Sequence, residues 1–316
     1  MEANNVKGRW WKETVRKFKK DWQLHLLIWL PMIYVIIFKY IPMYGVQMAF
    51  RDYSIGDSFG NSEWVGLQWF VQFMSSPNFG KYLWNTIALS LYTLVVGFPL
   101  PIIYALLLNT VKIEKFKKTV QTISYMPHFI SMVTFIGIIQ MIFSPVGGLY
   151  GSVYRLLGGS GIPKGFIELA GTFRHLYVWS GVWQGLGWNS IIYMSALSGV
   201  PAELHEAAQI DGATRWQRMW HIDVPSIMPT IAILLIMRCG SLISVGFEKA
   251  FLLQTTLNRD VSEILSIHVW RTAFGGSLEF SYSSAVGLWN LAINITLLMI
   301  VNTITKKMTE NEVSLF

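Results

Sequence analysis

The chain has 316 residues, of which 53% are hydrophobic, 15% aromatic and only 14% charged. Soluble domains carry about a quarter charged residues, so this composition predicts a membrane protein. The net charge of +7 does not indicate a nucleic-acid partner, because the basic residues stand mostly at the edges of apolar segments rather than in one patch. A single cysteine, Cys239, excludes a disulfide framework or a cysteine-based metal site within this chain.

Residues 1–23 form a basic and aromatic segment that precedes the first apolar run. That run is too long for a signal peptide, and no small-residue cleavage site follows it. We therefore predict that residues 1–23 lie on the cytoplasmic face of the membrane.

Six apolar stretches follow, each near the roughly twenty residues that a helix needs to cross a bilayer. They predict an all-α integral membrane domain over residues 24–304, followed by a cytoplasmic tail, 305–316. In the first stretch, Pro42 and Gly45 should kink or loosen the end of the helix. The stretches run approximately over Leu24–Met48, Tyr82–Leu108, Ile123–Phe143, Leu176–Leu197, Ile231–Leu253 and Ala285–Ile304.

The distribution of basic residues predicts the orientation of these helices. With the N-terminus inside the cell, the cytoplasmic segments hold fifteen Lys and Arg residues and the external loops hold seven. This bias favours an N-in, C-in topology with six transmembrane helices. It also places residues 200–230, called here the coupling loop, in the cytoplasm between the fourth and fifth helices.

The coupling loop reads as two short helices joined by a turn. Residues 202–211 are compatible with a helix, and Asp211-Gly212 ends it, because glycine readily takes the left-handed conformation. A second helical pattern contains Trp216, Met219 and Trp220, and Pro225 is expected to stop it. Such an element suits a groove on a partner protein, although a hairpin that merely joins two spans has the same pattern.

Six residues of this loop have a distinctive spacing: Glu206, Ala207, Ala208, Gly212, Ile222 and Pro225. Their spacing resembles the EAA loop of ABC-importer permeases. Val224 is the one departure, since leucine is usual there. The segment from Trp64 and the segment Phe280–Leu288 are also similar to sugar permeases. With the motif Phe38–Ile55 and the run Gly246–Lys249, the likeness is greatest to aldouronate/LplB-type polysaccharide importer permeases.

The resemblance implies a type I ABC importer permease fold and a role in moving oligosaccharides across the cell membrane. It also implies a second homologous permease, two cytoplasmic ATPases that bind ATP and Mg, and an extracellular substrate-binding protein. Whether the two permeases are identical stays open. The residues expected to couple this chain to the ATPases are Glu206, Ala207, Ala208, Asp211, Gly212 and Pro225.

No catalytic or metal site is predicted. Gly158–Lys164 lacks the Gly-Lys-Ser/Thr ending of a phosphate-binding loop, so ATP is expected on another subunit. His205-Glu206 begins like a zinc-protease helix, but Gln209 occupies the position of the second histidine.

Polar and aromatic residues within the apolar stretches are candidates for the substrate path. Aromatic faces with a few amides suit sugars, although an aromatic stripe also serves packing. Of the charges in or near the stretches, Lys39, Arg238, Glu248 and Lys249, we select Glu248; structural pairing, or snorkelling of the lysines, is the alternative. The full set of candidates is Trp183, Gln184, Trp188, Asn189, Tyr193 and Glu248.

Other transporter classes are left with less support. A permease for a different solute would share every feature above. An ATP-independent secondary transporter would need internal repeats, none of which is evident, and would leave the EAA-like loop unexplained. A membrane enzyme or receptor would need a catalytic constellation or a soluble signalling domain.

Overall fold

The computed structural model describes residues 20–56, 58, 60–240, 246–276 and 278–308, and these are mostly helical. Most of the predicted N-terminal segment and the end of the predicted tail therefore lie outside the described residues. The α-helices are α1 Trp22–Val35, α2 Ile41–Met43, α3 Gln68–Met74, α4 Phe79–Gly97, α5 Pro99–Asn109, α6 Glu114–Tyr125, α7 Met132–Ile142, α8 Leu149–Leu156, α9 Ala170–Ser198, α10 Ala202–Ile210, α11 Arg215–Arg218, α12 Val224–Cys239, α13 Phe247–Leu253, α14 Arg259–Ser262, α15 Leu265–Phe274 and α16 Phe280–Met308. Strands β1 (Arg51–Asp52) and β2 (Glu63–Trp64) pair antiparallel, with Arg51 opposite Trp64.

Four continuous helical segments are long and apolar enough to cross a membrane: Trp22–Phe50, Phe79–Asn109, Arg215–Cys239 and Phe280–Thr303. A fifth candidate is a pair of helical segments, Glu114–Phe129 and Met132–Ile142, which meet at an angle of 101°. The long helix α9 is not in this set, since it carries polar residues such as Arg174, Gln184 and Asn189 among its apolar ones.

The third predicted span, Ile123–Phe143, is not one straight helix. Met126–Phe129 forms a 3₁₀ turn that contains Pro127, and Ile130 is extended with ψ of 128°. Ser131 then caps α7 by accepting a hydrogen bond from the Thr134 amide at 3.3 Å. The proline and the cap together break the helix in the middle of an apolar run.

The predicted fifth span, Ile231–Leu253, differs from the expectation. Helical structure runs continuously from Arg215 to Cys239, and α13 is a separate short helix. The Gly-rich segment 144–174 contains the short helix α8.

Prolines explain two irregular turns in the spans. A π-helical turn at Ile36–Tyr40 precedes Pro42, and a 3₁₀ segment, Tyr44–Phe50, follows it, in keeping with the expected loosening of the first span. A second π-helical turn, Met219–Asp223, precedes Pro225. In each case a proline, which lacks an N–H and collides with the carbonyl four residues back, stands just after the widened turn.

Helix α9 forms the centre of the fold, because it packs against α4, α5, α6, α12, α13 and α14. The main hydrophobic core joins Leu89, Phe135, Phe173 and Leu253 around this helix, and all four are fully or almost fully buried. In contrast, no residue of α1 or of the helical turns up to Met43 is buried. The first span contacts the rest of the fold mainly through Tyr44–Phe50, which packs on α16.

Candidate coupling surface and intramembrane cavity

The first helix of the coupling loop ends in a well-formed turn. Asp211 follows α10, and Gly212 takes a left-handed conformation with φ of 84°. The Ala213 amide donates to the Ala208 carbonyl at 2.8 Å, and the Gly212 amide donates to the Gln209 carbonyl at 3.1 Å. This pattern is a Schellman motif, in which glycine is favoured because it has no Cβ.

A capping box starts the second helix. The Thr214 hydroxyl accepts from the Gln217 amide at 3.3 Å, and the Gln217 side-chain oxygen accepts from the Thr214 amide at 2.7 Å. Two amides that have no partner in the helix are satisfied in this way. The Schellman motif at Gly212 ends α10 and the capping box at Thr214 starts α11, so the short connection fixes the angle between the two helices.

Pro225 does not end the second helix, contrary to the expectation. It lies in the first turn of α12, and helical structure is continuous from Arg215 to Cys239. The Val224 amide donates to the Met219 carbonyl, a spacing of five residues that defines the π turn. The coupling loop is therefore joined to the fifth predicted span without a break.

The coupling loop presents a surface that the chain itself does not cover. No residue of α10 is buried. Glu206, Ala207, Asp211 and Gly212 are exposed, whereas Ala208 is half-buried. Large apolar side chains share this surface, with exposed fractions of 87% for Ile210 and 61% each for Trp216 and Trp220.

One contact between polar side chains joins α10 to the membrane domain. His205 Nε2 lies 3.2 Å from Asp223 Oδ1, and the Asp223 side chain is only 5% exposed. The contact spans the turn and joins α10 to the π turn at the start of α12. Sequence reasoning missed this pair, since a lone His and a lone Asp 18 positions apart carry no local signal.

Two adjoining cavities lie between α4, α5, α9 and α12. The larger, of about 460 Å³, is lined by Trp188, Asn189, Tyr193 and Arg238, among others. The smaller, of about 180 Å³, shares Asn189 and Arg238 and adds Gln184 and Lys249. The larger volume falls within the range of about 300–1,000 Å³ that is common for ligand pockets.

The structure brings four of the six predicted substrate-path residues to these cavities: Gln184, Trp188, Asn189 and Tyr193. Several of them also make packing contacts. Trp188 stacks on His128 with ring centroids 4.3 Å apart, and Gln184 Nε2 donates to the Ile130 carbonyl at 3.2 Å. Tyr193 is almost fully buried in a second hydrophobic cluster.

The remaining two candidates lie elsewhere. Trp183 stacks on Phe135 at 5.7 Å and is 55% exposed. Glu248 is exposed and lines neither cavity, while the next residue, Lys249, is buried. Lys249 does not snorkel to the surface, because its ammonium donates to the Tyr177 carbonyl at 2.6 Å. Adjacent residues point about 100° apart on a helix, so only one of the two can face the core.

Within the described residues, no group of three or more His, Cys, Asp or Glu side chains could hold a metal ion. The functional geometry consists of an exposed pair of short helices, the second of which is continuous with a long apolar helix, and a polar-aromatic cavity beside that helix.

Comparison with known proteins assigns this geometry to a family. Residues 97–310 match the family described as "Binding-protein-dependent transport system inner membrane component". The chain is 40% identical to the polygalacturonan/rhamnogalacturonan transport system permease protein YteP of Bacillus subtilis (strain 168), over 95% of this chain and 92% of that protein. It is also 40% identical to the protein LplB of the same organism, over 92% of this chain and 90% of LplB.

A solved structure has the same fold. A chain of a bacterial alginate ABC transporter, crystallised in complex with an alginate pentasaccharide-bound periplasmic protein, superposes with a TM-score of 0.84 and 34% identity. The match covers 94% of this chain and 99% of that one. The resemblance inferred from the EAA-like loop is confirmed, and this multi-pass membrane chain belongs to the family of inner membrane components of binding-protein-dependent ABC transport systems.

Proposed function

We propose that this chain is the membrane permease subunit of an ABC importer that carries oligosaccharides or polysaccharide fragments across the cell membrane. The relatives named for polygalacturonan/rhamnogalacturonan and alginate transport support a saccharide substrate. The observation that carries the proposal is the exposed α10, which has the EAA-like sequence and contacts a membrane helix through His205 and Asp223.

The membrane domain would cross the bilayer six times with both termini in the cytoplasm. The four long apolar helices supply four crossings, the bent pair α6–α7 a fifth and α9 the sixth. The polar residues of α9 are acceptable in a membrane because neighbouring helices surround it. The excess of basic residues in the cytoplasmic segments supports this orientation.

Two separate ATPase subunits, which bind ATP and Mg, would dock on the coupling loops of a pair of permeases. In this chain, α10 would enter an ATPase groove, with Ile210 as an apolar anchor and Glu206 in a charge-assisted contact. Ala207 and Ala208 would allow the two backbones to approach closely. Asp211 and Gly212 would hold the turn, and Pro225 would keep the π turn at the base of the loop.

A second, homologous permease would cover the surface that α1 leaves exposed. The side chains of Leu27 and Leu30 in that helix are each 70% exposed, and the bilayer or a partner helix must cover them. An extracellular binding protein would deliver the saccharide, as the periplasmic protein in the solved relative supports.

Movement of the ATPases would reach the cavity through α10. Because His205 contacts Asp223 and helical structure continues to Cys239, a displacement of α10 moves the helix that carries Arg238. Closing and opening of the ATPases would then alternate the access of the cavity between the two sides of the membrane.

A purification experiment tests the proposal. The tagged chain and its Glu206→Ala/Gly212→Asp variant are isolated in mild detergent, and co-purified ATPase is quantified. We expect the wild type to retain an ATPase and a second permease, and the variant to lose the ATPase selectively. The matched control is Glu168→Ala/Gly158→Asp, because Gly158 also has a left-handed φ of 87° but lies outside the coupling loop.

Loss of the ATPase from the control as well would mean that strain, not docking, causes the effect. A lone chain that moves solute without ATP would overturn the proposal and favour an ATP-independent transporter.

A further inference from the structure

The smaller cavity is distinguished by its charge. Lys249 and Arg238 both line it, together with the amides Gln184 and Asn189, and its described lining contains no Asp or Glu. It lies beside the larger cavity, with which it shares Asn189 and Arg238, so Arg238 faces both spaces and Lys249 faces the smaller one.

Lys249 is the more deeply buried of the two cations. It is 5% exposed, and its Nζ donates one hydrogen bond, to the Tyr177 carbonyl. The same atom lies 4.7 Å from the centre of the Tyr177 ring and 5.5 Å from that of Phe135. Among the described residues, no carboxylate lies within ion-pair distance of it. One carbonyl and two rings do not neutralise a buried ammonium, which has three donors.

The neighbouring helix is shaped to admit this ammonium. A Cβ built on Gly181 of α9 would stand 2.9 Å from Lys249 Nζ, closer than such contacts occur. A side chain at position 181 would therefore require the lysine Nζ to shift from this position. Lys249 is thus a buried cation that has no acidic partner among the described residues and faces a glycine on the neighbouring helix. This arrangement indicates a site for an anion that is not part of the chain.

We propose that this cavity is a carboxylate subsite on the substrate path, and that it selects acidic saccharides such as uronic-acid oligomers. Lys249 and Arg238 bind the sugar carboxylate by charge-assisted hydrogen bonds. Asn189 hydrogen-bonds ring hydroxyls, and Trp188 offers an aromatic face to the sugar in the larger cavity. The inference rests on the proposed function, since it names the substrate class of that same path.

Direct binding to the purified importer complex tests the subsite. The complex is placed in phosphatidylcholine nanodiscs without the extracellular binding protein, and its affinity is measured by equilibrium dialysis with two probes. One probe is trigalacturonate, and the other is the same trisaccharide with its carboxyl groups reduced. We expect the wild type to bind the acidic probe at least about tenfold more tightly than the reduced one.

Two variants and one control separate the cations from general effects of charge. Lys249→Met and Arg238→Gln should each weaken trigalacturonate binding by about tenfold or more and leave the reduced probe unaffected. Lys39→Met removes an exposed lysine of the first span and should change neither affinity. If Lys249→Met fails to fold, as judged by its elution and thermal midpoint, Arg238→Gln decides, because Arg238 is exposed.

Equal binding of the two probes by the wild type, or unchanged binding in both variants, would overturn the subsite. A third outcome would also overturn the subsite: phosphatidylglycerol displaces trigalacturonate, and this lipid stays bound to the wild type but not to Lys249→Met. That result would identify the cavity as a site for a lipid headgroup. In each of these cases the proposed function is still supported if the complex contains its ATPase and transports the reduced sugar. Absence of the ATPase from the complex would instead overturn the proposed function.

Discussion

Replacing Glu263 by leucine should destabilise the fold more than replacement of an exposed carboxylate. Its side chain is 3% exposed and accepts hydrogen bonds from Arg271 Nη1, from Arg259 Nε at 3.2 Å and from Gln254 Nε2 at 3.1 Å. The backbone carbonyl of Glu263 also accepts from Asn85 at 3.2 Å, which links this region to α4. The leucine removes the acceptor and leaves the donors behind.

The magnitude follows from the burial of these donors. Breaking a buried ion pair by removing one partner costs about 3–5 kcal/mol. The side chains of Arg259 and Arg271 are 55% and 30% exposed, so water can rehydrate part of the lost contact. We therefore expect the free energy of unfolding to fall by about 3 kcal/mol, at the lower end of that range.

Thermal unfolding of the purified chain in detergent, followed by intrinsic fluorescence, measures the effect. The Glu263→Leu midpoint should fall by about 5 °C relative to the wild type. Glu279→Leu is the matched control, since Glu279 is exposed, and it should change stability by less than about 0.5 kcal/mol. A midpoint for Glu263→Leu at or above that of the wild type would refute the reasoning that the two arginines depend on this carboxylate.

Three further predictions concern the coupling loop and helix α15. Gly212→Ala places a Cβ on a residue in the left-handed conformation, so the free energy of unfolding should fall by about 1–2 kcal/mol. The amount of ATPase recovered in a pull-down should also fall. Full ATPase recovery at unchanged stability would contradict this prediction. Ile210→Asp should leave the thermal midpoint within about 1 °C, because the side chain is 87% exposed, yet abolish ATPase retention; retained ATPase would exclude Ile210 as an anchor. Burial lowers the pKa of His268, which stacks on Tyr82 at 4.5 Å. The stabilisation it gives above pH of about 6.5 is lost as the pH falls through the lowered value, so stability should drop between pH 7 and 5 less steeply in His268→Gln; parallel curves would contradict it.

The coupling loop could be predicted from sequence because its determinants are local. The boundaries of α10 and the turn at Gly212 depend on residues within a few positions of one another. Whether Pro225 ends the helix depends instead on whether the preceding turn can widen into a π turn. The sequence alone does not show the π turn at Met219–Asp223, and it therefore predicts that the helix ends at Pro225.

Tertiary packing determines the structural features that could not be predicted from the sequence. Apolar content alone cannot distinguish a straight third span from one that bends at Ile130 and Ser131. Similarly, Glu248 and Lys249 have adjacent positions, and only the placement of α13 against α9 shows that the lysine faces inward. Four of the five candidates on α9 line the cavities, because helical spacing brings these residues to one side.

Uptake by a reconstituted complex tests the central claim most directly. The chain, its partner permease and the ATPases are placed in lipid vesicles with the binding protein outside, and accumulation of a labelled oligosaccharide is followed with ATP or a non-hydrolysable analogue inside. We predict accumulation against a gradient only with ATP, and its loss in the Glu206→Ala/Gly212→Asp variant. Equal uptake with the analogue, or uptake by this chain without ATPase subunits, would contradict the assignment of this chain as an ATP-coupled permease.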